Sequence, residues 1–378
     1  MNEPWLRLHQ LRVSHRTTWE VIELRTADGA VGIGECSDSL APHTLPEVVD
    51  EIAALLAGAG ELGAARTPEE LQPMEAQLVA FAETGSGPAE RFARRVAISG
   101  TITALCDLAA AAAGVPLWQW LGGEKCEAVP LYANINRAPR ERVPAEFARV
   151  AAAAVAEGFA MVKLAPFDGP ALDGLSLAAT GIAHVEAVRE AVGDRVEVLV
   201  DLHTKLSPQE LLGVLPDLER LRVGWIEDAV DVADLDALEW LAGRTRLPIA
   251  GGERLIDPKQ IAAIVGSGHL DHLLLDPKFM GGPLRYASLI NGVDDVGLSL
   301  HDPTGPVSTT TSLHLSTLRP GPALVEFPYG EPIVRSNLTS PPERLHQGSL
   351  PLPSAPGLGV RLTAGHWSSE TVIRAWRS

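Results

Sequence analysis

The sequence predicts an α/β protein: a (β/α)7β barrel with a smaller α+β domain before it. Two observations carry that reading. From about residue 126 onward, eight short apolar strands alternate with helices. Six of these strands end in a titratable residue, and those residues recur at nearly constant spacing. A chain of 378 residues is long enough for both units.

Residues 1–125 read as the α+β domain. LRLHQLRVSH is a strand, and TTWEVIELRTADGAVGIGECS is strand-like, with Ala-Asp-Gly as its turn. Ala- and Leu-rich helical stretches follow, broken at AGAGELGAA and TGSGPAE. VAISGTITALCDLAAAAAG is a helix that Gly114 and Pro116 stop.

Residues 126–350 read as the barrel. VPLYANIN is its first strand, and PAEFARVAAAAVAEG the helix after it, with Pro144 near its start and Gly158 past its end. FAMVKLAP, VEVLVD, VGWIED, LPIAGGE, HLLLDP, LSLHDP and ALVEFP are the later strands. The helices between them begin at recognisable caps, such as the capping box Ser207-Pro208-Gln209-Glu210 and Asp257 before Pro258. Continuous apolar strands alternating with helices form a parallel sheet covered on its outside, and eight of them close into a TIM-like barrel. Residues 351–378, rich in Pro, Ser and Gly, read as an extended return across the first domain.

Bulk properties narrow the function. The formal net charge of −17 argues against nucleic acid and anionic membranes as partners. An anionic substrate would need a local reversal of sign, by a metal ion or clustered lysines. Cys36, Cys106 and Cys126 form no metal-spacing pattern and fit a reducing, cytoplasmic setting. The first ten residues lack the basic region and apolar core of a signal peptide, and no uninterrupted apolar run reaches membrane-spanning length.

The strand ends carry the chemistry. Asp201, Glu227, Glu253, Asp276, His301 and Glu326 each close a strand, 23 to 26 residues apart, which is the length of one βα unit. All six therefore point into one mouth, where barrel enzymes keep their active sites. Asp201, Glu227 and Glu253, on consecutive strands, make an all-oxygen site suited to Mg2+, with Mn2+ as the substitute. Asp276 and His301, one strand apart, make a carboxylate–imidazole pair of the kind wanted in a general base. His203 lies two residues after Asp201 and is either a catalytic acid or a loop histidine. Lys163 sits on a barrel strand, where it needs the carboxylate cluster or a substrate anion. The histidines at 184, 269, 272 and 314 read as structural.

These residues resemble the enolase superfamily, and within it the mandelate racemase subgroup, over nearly the whole chain. SGTITALCDLAAAAAGVPLWQWLGG is similar to that family's segment before the barrel, and the first domain resembles its capping domain. The resemblance places the metal on Asp201, Glu227 and Glu253, and the His–Asp dyad on His301 and Asp276, five residues before Gly281-Gly282. It makes Glu326 the acidic residue that assists the substrate carboxylate. It also implies proton abstraction next to that carboxylate through an ene-diolate, and a homo-oligomer. Two departures bear on the reaction. The family's Lys-x-Lys is here Lys163-Leu164-Ala165, without the second lysine that serves racemases. Asp201-Leu202-His203 resembles the Asp-x-His of galactonate- and mannonate-type acid-sugar dehydratases, where the histidine is a general acid. Substrate choice then falls to capping loops near residues 15–20 and 38–46, with Trp19, Asp38, His43 and Thr44, and to Tyr132, Asn134 and Asn136 at the first strand.

The implied function is a Mg2+-dependent dehydratase of a sugar acid or related hydroxy carboxylate. An epimerase, racemase or lactone cycloisomerase on the same scaffold is the nearest alternative, with His203 as a second base. A metal-dependent hydrolase would want histidine ligands near the first strand, and YANINR offers none. A catalytically silent barrel that only binds ligand is the remaining alternative.

Overall fold

The computed structural model describes residues 4–14, 17–57, 65, 67–290, 292–293, 295–331 and 335–367, with the backbone of one further strand at 373–375. His15 and Arg16, in the first capping loop, lie outside the described residues.

The first domain opens with an antiparallel sheet of three consecutive strands, β1 (Trp5–Arg12), β2 (Thr18–Arg25) and β3 (Val31–Glu35). Helices α1 (Leu45–Ala57), α2 (Pro68–Ala82), α3 (Pro88–Ala112) and α4 (Leu117–Trp120) follow. The stretch expected as one strand with a turn is a hairpin, because Asp28 and Gly29 reverse the chain and Gly29 takes a φ of +93°. The sheet packs on α3, whose long apolar middle is buried. Contact is close there: a Cβ on Gly32 or Gly34 would lie within 2.1 Å of a carbonyl oxygen of α3, so only glycine lets β3 reach the helix. By composition α3 is long and apolar enough to cross a membrane, but most of it is core.

The barrel strands are β4 (Ala128–Asn134), β5 (Met161–Leu164), β6 (Glu197–Asp201), β7 (Ile226–Glu227), β8 (Ile249–Gly251), β9 (His272–Leu275), β10 (Gly297–Leu300) and β11 (Leu324–Pro328). Between them run α5 (Pro144–Ala156), α6 (Leu177–Val192), α7 (Pro208–Arg220), α8 (Leu235–Ala242), α9 (Pro258–Gly266), the short α10 (Pro277–Met280) with α11 (Pro283–Ile290), and α12 (Pro306–Leu315). Neighbouring strands are parallel throughout, and β11 returns to β4 with Val325 beside Leu131, which closes the barrel. Ser207 and Glu210 form the reciprocal capping box of α7, and Asp257 caps α9. Inside the barrel, Tyr132, Leu199, Trp225, Ala250 and Leu274 fill the axis, with the Tyr132 and Trp225 rings edge to face at 5.5 Å.

Past the barrel, β12 (Thr339–Ser340) and β14 (Arg361–Leu362) pair with each other, and β13 (Ser349–Pro351) lies antiparallel to the outer part of β4. The last strand, β15 (Ile373–Ala375), joins the edge of the first sheet beside β1.

Candidate active site

The carboxyl ends of the barrel strands and the first domain enclose an open cavity of about 1950 Å³. The barrel contributes Asn134, Asn136, Lys163, Asp201, His203, Asp228, Glu253, His301 and Glu326; the first domain contributes Gln10, Thr18, Trp19, Glu20, Asp38 and His43. Register explains the convergence. Asp201 and Glu227 are direct neighbours across β6 and β7, so their side chains leave the sheet on the same side.

Lys163 is the hub of the floor. Its Nζ donates to Glu227 Oε1 at 2.8 Å and lies 3.0 Å from Glu326 Oε1. Burial alone would lower its pKa, but Glu227 and Glu326 raise it well above normal, so the ammonium is fixed. Trp225 Nε1–H donates to the other oxygen of Glu227, at 3.1 Å. Burial pushes Glu227 up to about 8 against the pull of Lys163. Glu326 also accepts from the Asn134 amide and from the Asp302 backbone N–H.

His301 Nδ1 meets Asp276 Oδ2 at 2.9 Å, and its Nε2 lies 2.8 Å from Glu253 Oε2. Burial disfavours the imidazolium, yet Glu253, Glu326 and Asp276 raise its pKa well above the usual value. The same pairing holds Glu253 below the normal carboxylate range, although burial acts the other way. Asp276 directly follows β9 and caps α10, accepting from Lys278 N. Lys278 Nζ, itself buried, donates to Asp276 Oδ2 at 2.9 Å and to Ser308 Oγ at 3.1 Å.

His203 stands on the other flank. Nδ1 lies 2.9 Å from Asp168 Oδ2, and Nε2 lies 2.8 Å from Asp201 Oδ2. Burial lowers its pKa, but the hydrogen bonds to Asp168 and Asp201 win and raise it to about 11. His203 and Thr204 have φ of +45° and +51°, a left-handed conformation that costs non-glycine residues about 1–3 kcal/mol each. Strain of that size is tolerated where the surrounding contacts over-determine it.

The remaining residues expected from the sequence fall as follows. Asn134 and Asn136 border the cavity, and Asn136 Oδ1 accepts from the Ala165 N–H. Tyr132 does not reach the cavity: it is fully buried in the axis below, with its hydroxyl 3.5 Å from Glu326 Oε2. This corrects the expectation that it binds a substrate hydroxyl. Trp19 borders the cavity but has no exposed surface, being packed in the first domain's core with the Arg335 guanidinium over its ring. His43 is exposed at the rim.

Asp201, Glu227 and Glu253 are not gathered about one point; among the described residues no group of three His, Cys, Asp or Glu has metal-holding geometry. Like charges repel, and each carboxylate rests on a different cation: His203, Lys163 and His301. The donor chemistry nonetheless fits a hard divalent ion. Six carboxylates (Asp168, Asp201, Glu227, Glu253, Asp276, Glu326) pair with Lys163, Lys278, Arg254 and two imidazoles, and Asp228 lies close to Asp201 and Glu253.

Three polar residues here escaped sequence reasoning. Asp168 lies in the loop after β5. Asp228 directly follows Glu227, has φ of +42° and is pushed up to about 7 by burial and by Glu253 and Asp201. Lys278 falls on α10, a helix too short for periodicity to reveal. Adjacency to a strand end was the available signal for the first two.

Comparison with known proteins fits this geometry. Residues 146–366 match the enolase C-terminal domain-like family, and residues 6–122 match the mandelate racemase / muconate lactonizing enzyme N-terminal domain. A D-gluconate dehydratase of Thermoproteus tenax is 28% identical over 364 residues, 95% of this chain and 69% of that protein. A D-galactonate dehydratase of Ralstonia nicotianae is 26% identical, covering 90% of this chain and 88% of its own. The crystal structure of a member of the enolase superfamily from Salmonella Typhimurium superposes with a TM-score of 0.83 at 20% identity, covering 98% of this chain and 99% of that one.

Proposed function

This chain belongs to the enolase superfamily, and from that premise we propose that it is a dehydratase removing water from a sugar acid or a related hydroxy carboxylate. The observation that carries the proposal is a pair of imidazoles in one cavity, each bonded through Nδ1 to an aspartate, beside Lys163, with Ala165 where the second lysine of a racemase would stand. The names of the gluconate and galactonate dehydratases that resemble the chain along most of its length support the same reading.

The division of labour follows from acidity. A proton next to a carboxylate is very weakly acidic, and its removal places more negative charge on the carboxyl oxygens. Mg2+ or Mn2+ held by Asp201, Glu227 and Glu253 would supply positive charge to those oxygens. Lys163 adds its ammonium from the floor, where low dielectric strengthens it. His301 takes the α-proton once its Nε2 is neutral and released from Glu253, with its ring held by Asp276. Glu326 assists the substrate carboxylate. His203 gives a proton to the departing β-hydroxyl, and the enol that remains becomes a keto acid.

A screen of aldonic and aldaric acids in deuterated solvent, followed by NMR, tests this. A true substrate yields a 2-keto-3-deoxy acid. His203→Asn is expected to lose dehydration by about a hundredfold to ten-thousandfold while still exchanging the α-proton. Exchange by the wild-type enzyme without loss of water would instead make His203 a second base and the protein an epimerase. Dehydration by His203→Asn at the wild-type rate would remove the acid role.

A further inference from the structure

Asp168 lies on the loop after β5, borders the cavity and bonds to His203. The two flanks of the cavity are built alike. On one, His301 has Nδ1 on Asp276 at 2.9 Å and Nε2 on Glu253 at 2.8 Å. On the other, His203 has Nδ1 on Asp168 at 2.9 Å and Nε2 on Asp201 at 2.8 Å. We infer that Asp168 and His203 form a second histidine–aspartate dyad, in which Asp168 is a positioning residue: it accepts the Nδ1 proton and so leaves Nε2 as the nitrogen that delivers a proton into the cavity.

The loop is constructed to present Asp168. Ala165 has its backbone N–H taken by Asn136 Oδ1 and its carbonyl taken by Arg142 Nη2 at 2.6 Å. A turn then brings Asp168 N back to the Ala165 carbonyl at 3.3 Å. The chain is thereby fixed at the position where a second lysine would have stood, and three residues later it supplies a carboxylate instead. His203 meets it from a left-handed backbone, an unfavourable conformation for histidine that places both ring nitrogens against oxygen. Asp168 is ionised for the task, since the hydrogen bond and charge of His203 lower its pKa although burial acts to raise it. A carboxylate on one imidazole nitrogen fixes the tautomer and the ring orientation.

The inference rests on the dehydratase reading, so its test has two arms. In the first, Asp168→Asn is assayed with the acid sugar that the wild-type enzyme dehydrates. Dehydration is expected to fall about a hundredfold, while exchange of the α-proton with deuterated solvent stays within about twofold. A substrate with fluoride in place of the β-hydroxyl needs little protonation and is expected to restore elimination. Parallel loss of exchange and dehydration, or no loss of either, overturns the inference. In the second arm, 15N NMR of the imidazoles needs no substrate. The wild-type His203 is expected to show a protonated Nδ1 bonded to a carboxylate; that signature shifts in Asp168→Asn while His301 keeps its own. An unchanged His203 resonance overturns the dyad. If the wild-type enzyme dehydrates no acid sugar but the NMR signature behaves as described, the dyad stands and the dehydratase reading falls.

Discussion

Replacing Glu35 by alanine is expected to destabilise the protein by about 3–5 kcal/mol, and the figure follows from the contacts of one carboxylate. Glu35 ends β3 in the first domain and is buried. Its Oε1 accepts from Gly305 N at 2.6 Å and from Ser37 Oγ at 2.7 Å, and its Oε2 accepts from Ser308 N at 2.9 Å. Gly305 precedes α12 and has no side chain to cap it, so the cap comes from the other domain. Removing the carboxylate strands two backbone N–H groups, at about 1–3 kcal/mol each when buried. It also removes a negative charge from a helix N-terminus, worth about 0.3–1 kcal/mol. Release from burying the carboxylate offsets part of the sum. Glu35→Gln, whose amide nitrogen cannot accept, is expected to cost about half as much. Gly305→Ala tests the same contact from the other side, because a Cβ there would lie 2.7 Å from Glu35 Oε2. The assay is urea unfolding followed by circular dichroism, with α-proton exchange measured in parallel, since α12 follows directly on the loop after His301. A Glu35→Ala protein within about 1 kcal/mol of wild type would refute the account of Glu35 as the cap of α12.

Three further outcomes are expected. His301→Asn should slow α-proton exchange by about a hundredfold to ten-thousandfold, and Asp276→Asn by less, because it misorients the base without deleting it; unchanged exchange in His301→Asn places the base elsewhere. Glu227→Gln should weaken Mg2+ binding by more than about tenfold with the fold intact, and calorimetry showing wild-type affinity would remove the metal assignment. His314 is buried with Nδ1 accepting from Trp118 N–H and Nε2–H donating to the Leu358 carbonyl, and burial lowers its pKa to about 4. Its neutral form is the one the fold holds, so its contribution is complete above pH 6.5 and is lost as pH falls towards 4, by about 2 kcal/mol at pH 5. In His314→Gln the stability profile should be flatter over that range by this amount, and superposable slopes would contradict the assignment.

The barrel was legible because its signals are local and repeated. Each strand is a short apolar run with a polar residue at its carboxyl end, and one βα unit recurs every 23 to 26 residues, so the common mouth follows from counting. His301 and Asp276 were legible as a pair for the same reason, since each directly follows one of two adjacent strands whose last residues, Leu300 and Leu275, are in register. What failed to show in the sequence depends on side-chain reach or loop geometry. Tyr132 and Asn134 are two residues apart on β4 and so face the same side, into the barrel, but Tyr132 sits one layer deeper in the axis while Asn134 reaches the cavity. Asp168 and Glu35 act across 35 and 270 residues of sequence, and no periodicity connects them with His203 or Gly305. Lys278 looks like a surface charge beside a proline until α10 turns it inward.

The charge of the site bears on how an anionic substrate enters an acidic protein. Lys163 is the only lysine of the floor that borders the cavity among the described residues, apart from Lys205 at its rim, and its ammonium is already shared between Glu227 and Glu326. A substrate carboxylate approaching it would compete with two buried partners, each costly to leave uncompensated. His301 and His203 are similarly committed, each lying between two carboxylates. At the floor these cations therefore balance the carboxylates beside them and leave little positive potential for a ligand, although Arg12, Arg137, Arg142, Lys205 and Arg254 also border the cavity. With a net charge of −17 over the chain, the surrounding field does not supply it either. Held by Asp201, Glu227 and Glu253 as proposed, a divalent ion would supply two positive charges at the floor, and Lys163 would then have one side free of Glu227 for the substrate. On this argument the metal and the lysine are not independent contributions, and Glu227 is the residue through which the proposed cofactor and the proposed substrate would be coupled.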